Sequence, residues 1–305
     1  MKSTLRSLAV LVPMIAAGHM APLQAQVAQD TPVVATVTEN AQERINYSGK
    51  LRMLSQHIPA AACHLSRGIS PDRAAAFLSG ATTEFDRILA ALEFGDEDLN
   101  IIAPETRRKS LARLHELKET WEPFEVAALA IANGTGTDAD LNYLLSENLT
   151  VLTATQLVVE ELVRQYANPN AVTQASLMLI DISVRQGMLT QKMSKEACMI
   201  GTVHETPQTR DELAGTVQVF EASLEALRFG MPQVGILPPL NPEISEGLEV
   251  ALADWISVKP LMTEVLAGGE LDGDGQTSKF IGLNTTMASM NAVVDLYSGA
   301  TRPNS

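Results

Sequence analysis

Apolar residues recur along this chain at three- and four-residue steps, the spacing that lines up side chains on one face of an α-helix. The first such run spans about Glu39 to Arg67, with Tyr47, Leu51, Leu54, Ile58, Ala61 and Leu65 on its stripe. A second stripe of the same run is small and polar: Ser48, Gly49, Arg52, Ser55, Gln56, Pro59 and Cys63. Small residues let another helix come close, and Arg52 would then point into that contact. Gly68 and Pro71 punctuate the chain. A second helix follows to about Phe94, with Phe85, Ile88, Leu89 and Leu92 inward and Gly95 at its C-cap. A third, about Glu105 to Ala132, carries Leu111, Leu114, Leu117 and Trp121. After Asn133-Gly134-Thr135-Gly136 a fourth, about Ala139 to Tyr166, carries Leu141, Leu144, Leu145, Leu149, Leu152 and Leu157.

Past a junction at Asn168-Pro169-Asn170 the pattern starts again. Helices are predicted over about Val172–Val203, Gln208–Phe229, Pro242–Ala267 and Ser278–Ser298. The stretch from Ile45 to Cys63 repeats without a gap at Ile180 to Cys198, an offset of 135 residues. The identities are Ile45/Ile180, Ser48/Ser183, Met53/Met188, Leu54/Leu189, Gln56/Gln191, Ala62/Ala197 and Cys63/Cys198. Phe85/Phe220, Leu89/Leu224, Leu92/Leu227, Gly95/Gly230 and Pro104/Pro239 keep the same offset, and Trp255 falls near the counterpart of Trp121. A period this long duplicates a whole domain rather than a solenoid unit. The expected fold is all-α: two tandem up-down four-helix bundles, residues 39–167 and 168–301.

Residues 1–25 read as a cleaved signal peptide: Lys2 and Arg6 at the start, an apolar run Leu8 to Ala17, and the small residue Ala25 at the cleavage point. Residues 26–38 read as a flexible lead-in. No later stretch is long and apolar enough to span a bilayer, so the expected location is the periplasm. The formal net charge of −14 speaks against nucleic-acid and anionic-membrane partners. Few aromatics beside abundant Ala, Leu, Glu and Met is a helical-bundle composition. The two cysteines of the chain favour a disulfide in an oxidising compartment; two buried thiols are the alternative.

Asp272-Gly-Asp274-Gly looks like a fragment of a calcium loop but lacks the full ligand series, and is expected to be an inter-helix turn. His57 and His64 flank Cys63, with Met53 nearby, a set that could seat a soft metal. His57 aligns with Lys192 and His64 with Met199, so the second copy has no matching set, and surface or half-buried histidines are expected, with no metal site. No nucleophile, phosphate loop or carboxylate pair points to an enzyme or a cofactor. Arg52 has two readings: an ion pair with an acidic residue of a neighbouring helix, or a planar fork for a small oxyanion.

INYSGKLRMLSQHI, residues 45–58, resembles the signature of the PilJ-type sensor domain, the N-terminal domain of type IV pili methyl-accepting chemotaxis transducers. It is also similar to the signature helix of the nitrate/nitrite sensor domains of NarX- and NarQ-type histidine kinases. ISVRQGMLTQKMSK, residues 182–195, fits the same pattern, and MASMNAVVDLY, Met287 to Tyr297, resembles the closing helix. The resemblance implies four-helix sensory bundles whose signature helices meet at a dimer interface, with the signature Arg binding the anion there. In this chain the two copies would form an intramolecular pseudo-dimer. Arg52 holds the Arg position, and Gly187 stands at its counterpart; Arg185, roughly 200° around the helix from that position, is no simple substitute. The expected site is Ser48, Gly49, Arg52, Ser55 and Gln56 facing Ser183, Gly187, Thr190 and Gln191. The expected ligand is nitrate, nitrite or a small carboxylate, and the expected partner a membrane receptor or histidine kinase. Parallel first helices also place Cys63 and Cys198 at equal heights, as a disulfide requires. The rival reading is an interaction bundle that has lost ligand binding.

Overall fold

The computed structural model describes residues 32–166 and 174–300. The expected signal peptide, residues 1–25, and the expected junction at Asn168-Pro169-Asn170 lie outside the described residues. Among the described residues there are eight α-helices: α1 (Pro32–Ser66), α2 (Pro71–Phe94), α3 (Arg108–Ala132), α4 (Asp138–Tyr166), α5 (Gln174–Met199), α6 (Thr209–Phe229), α7 (Pro242–Leu266) and α8 (Gly273–Ala300). They form two four-helix units, α1–α4 and α5–α8, joined where α1 packs along α5. One core gathers Leu54, Ile58, Phe85, Leu114, Trp121 and Leu144; the other gathers Met193, Phe220, Leu248, Trp255, Leu283 and Met290.

The two units build the same details from matched residues. Phe85 stacks on Trp121, and the Trp121 indole N–H donates to Asp86 at 2.6 Å. Phe220 packs on Trp255, whose N–H donates to Glu221 at 2.8 Å. After α2, Gly95 takes φ 87°, and a Cβ there would lie 2.9 Å from the Ile101 carbonyl oxygen. Gly230 does the same after α6, with φ 76° and Pro238 N at 2.8 Å. Only glycine suits both the dihedral and the approach.

Contacts along the α1–α5 seam fix its direction. Gly49 meets Val184 and Cys63 meets Cys198, both at the same sequence separation, so the two helices run parallel. The Cys63–Cys198 disulfide is formed, with Cα atoms 6.2 Å apart, and no cysteine is free.

Some boundaries and faces differ from expectation. α1 begins at Pro32, inside the stretch expected to be a flexible lead-in; proline suits a first helical turn because its missing N–H is not needed there. α3 starts three residues later than predicted, because the buried Glu105 carboxylate accepts from the backbone of Thr106 and Arg107 at 2.8 Å instead of entering the helix. α8 starts earlier: Asp272 accepts from Gly275 N at 2.7 Å, so the acidic turn is a helix cap. Leu149 and Leu157 are exposed, since the leucine stripe of α4 is wider than the face its partners cover.

Candidate functional site

The small polar stripe of α1 does face α5. Arg52 lies on it almost fully buried, 2 % exposed. Its guanidinium donates to Gln156 Oε1 of α4 at 2.9 Å and to Asp181 Oδ1 of α5 at 2.7 Å. Nε has no hydrogen-bond partner. Burial pushes the arginine's pKa down, and Asp181 opposes that shift. Asp181 is half-exposed and bonds Arg185 Nε through its other oxygen at 2.9 Å. One carboxylate thus bridges two guanidiniums from different units. The ion-pair reading of Arg52 is realised, with the acid supplied across the seam.

This cluster lines a groove of ≈ 590 Å³ between α1, α4 and α5. Gly49, Arg52, Gln156, Asp181 and Arg185 line it, and Glu160 and Arg164 add one charge of each sign. Arg185 lines this groove too, held by Asp181 one turn before it on α5, while Gly187 does not line it.

The remaining expected residues fall elsewhere. Ser48 and Ser55 donate to Ile45 O and Arg52 O of their own helix, and Thr190 donates to Gly187 O, at 2.9, 2.7 and 2.7 Å. Hydroxyls bonded back to their own helix have no hydrogen left for an anion. Gln56 donates to Asn148 O at 3.2 Å and Gln191 to Asn284 Oδ1 at 3.4 Å, so each turns to the fourth helix of a unit. Buried Lys195 joins the first pair, 2.7 Å from Asn148 Oδ1, and burial lowers its pKa to about 8. Ser183 Oγ is buried without a partner. Gly187 faces Asn291, Met53 and Met287 on the opposite flank of the seam from Arg52.

The histidines are not at the surface. His57 is 6 % exposed, and burial lowers its pKa to about 4. His64 is fully buried, 3.2 Å from Ser194 Oγ and against the Phe280 ring. Ser194 and Phe280 come from α5 and α8, and the periodicity of α1 carries no information about them.

Residues 33–146 and 173–272 match the PilJ family, described as Type IV pili methyl-accepting chemotaxis transducer N-term. The chain belongs to this family. One matched segment falls on each four-helix unit. PilJ domains are extracellular or periplasmic sensors, non-enzymatic in general, that act through signalling partners. No curated protein matches the chain. No helix among the described residues is long and apolar enough to cross a membrane.

Proposed function

We propose that this PilJ-family chain is an exported periplasmic sensor that binds a small anion at Arg52 and acts through a membrane receptor or histidine kinase. The signal-like residues 1–25 support export. The resemblance of the Arg52 helix to nitrate/nitrite sensor helices supports nitrate, nitrite or a small carboxylate as the ligand. The observation that carries the reading is the buried Arg52 guanidinium, which opens onto the α1–α4–α5 groove with Nε unpartnered and a half-exposed carboxylate on its terminal nitrogen.

Asp181 occupies the place an anion would take. A planar anion of carboxylate shape displaces it and inherits the contacts to Arg52 and Arg185. The two units then do within one chain what a sensor dimer does with two. Displaced Asp181 would move on α5, and that is the movement a partner could read.

A structural reading is favoured by one observation: Asp181 already satisfies Arg52, so the pair could serve only to clamp α1 to α5. Calorimetric titration with nitrate, nitrite and acetate separates the two. The sensor reading expects binding by wild type, loss in Arg52→Ala, and tighter binding in Asp181→Asn, which removes the competing charge. No heat with any of the three anions, or equal affinity in Arg52→Ala, would leave the clamp.

A further inference from the structure

We propose that the flank of the seam opposite Arg52 holds one soft monovalent metal ion, copper(I) or silver(I) in chemistry, bound by His57 Nε2 and the thioethers of Met53 and Met287. These three line one groove between α1, α2 and α8, of ≈ 650 Å³. Met53 precedes His57 by four residues, which puts both on the same face of α1. Met287 comes from α8. A Cβ built on Gly187 would lie 3.6 Å from Met53 Cγ and 3.9 Å from Met287 Cγ, so the two thioether arms converge on the same point of α5. An arginine there, matching Arg52, would fill that point with a cation. Glycine leaves it open and uncharged.

The histidine offers a free donor. Its ring is almost fully buried, and Nε2 is buried without a hydrogen-bond partner among the described residues. A buried polar atom left without a partner is costly, and a bound ion would supply one.

The donor set decides the ion. Imidazole and two thioethers are soft ligands that select copper(I)-like ions over calcium or magnesium. All three are neutral. A divalent ion would keep its charge uncompensated in a buried site, which is costly, whereas a monovalent soft ion loses less hydration. The other cations lining the groove are engaged: Lys50 with Glu84 at 2.5 Å and Arg87 with Asp96 at 2.9 Å. Both cysteines are in the disulfide, so no thiolate competes. The negative net charge of the chain favours cation approach.

The test uses the oxidised full chain and silver(I) in chloride-free buffer, which needs no reductant and so spares the disulfide. Native mass spectrometry gives stoichiometry, and NMR follows the methionine methyls and the His57 ring. The expected result is one tight silver per chain, shifts at Met53, Met287 and His57 Nε2, and at least a tenfold loss of affinity in Met53→Leu and in Met287→Leu. These exchanges conserve volume, so folding should survive, and thermal unfolding checks that it does. Arg52→Ala should bind silver as wild type does, since it lies on the other flank. The proposal fails if wild type takes up no stoichiometric silver, or if the Met53→Leu/Met287→Leu double variant, folded, binds as tightly as wild type. Shifts confined to other methionines would also overturn it.

Discussion

Reducing the Cys63–Cys198 bond should lower the melting temperature by about 10 °C. The two cysteines are 135 residues apart, so the bond closes a loop of nearly half the chain in the unfolded ensemble. The chain-entropy account values such a closure at about 5 kcal/mol. For a chain of this size each kcal/mol moves Tm by about 2 °C, which gives the expected shift. The native cost of reduction is small by comparison, because both sulfurs are buried at the α1–α5 seam and a buried thiol behaves as a small apolar group. The assay is scanning calorimetry with and without a phosphine reductant, with thiols counted by alkylation after denaturation. Two thiols appearing on reduction with a Tm change under about 2 °C would refute the reasoning. It would mean that the two units unfold separately and that the seam does not couple them.

Three further predictions follow from packing and charge. The pKa of Glu125 is raised to about 7, chiefly by desolvation and then by the neighbouring Asp86 carboxylate, whereas in the second unit Lys259 pairs with Glu221 at the equivalent place, four residues after the tryptophan. A raised folded pKa stabilises below the unfolded value and loses that contribution as pH rises towards 7. Glu125→Lys should therefore gain stability at pH 8, by about 1 kcal/mol after discounting for solvent screening, and flatten the pH 5–8 profile in urea denaturation. His57 acts in the opposite sense: its folded pKa of about 4 lies below the usual 6.5, so its contribution is present above pH 6.5 and is lost as pH falls towards 4. Tm measured down that range should drop, and His57→Gln should drop less. Gly49→Ala places a methyl 2.9 Å from Val184 Cγ1 and should cost about 1–3 kcal/mol by forcing the seam apart, read by chemical denaturation.

The sequence carried the helices and the disulfide because both rest on local periodicity and on the repeat. Leu51, Leu54 and Ile58 face a core by spacing alone, and Cys63 and Cys198 meet because equal positions on parallel helices are at equal heights. It did not carry the partners of Arg52. Asp181 aligns with Asn46, so the carboxylate has no counterpart in the first copy, and no repeat logic pairs residue 52 with residue 181. Gln156 arrives from α4 and depends on how the helices rotate against each other. His57 was not legible for the same reason: how α1 turns against its neighbours puts it in the groove between α2 and α8, with Phe77 5.5 Å from its ring. Gly187 was legible as the missing arginine. That its neighbours there would be two methionines was not, because Met287 lies on α8, a hundred residues further along.

The most direct test of the sensor account is the Nε–Hε resonance of Arg52 in ¹⁵N-labelled protein, titrated with nitrate, nitrite and acetate at fixed ionic strength. Nε–H is the guanidinium donor that no group among the described residues accepts, and the other two nitrogens are held by Gln156 and Asp181. The account predicts a saturable shift of this one resonance with at least one of the three anions, accompanied by a shift of the Arg185 Nε–Hε as Asp181 lets go, both absent with chloride at the same concentration. A resonance unmoved by all three anions, with Arg185 still bound to Asp181, would contradict it.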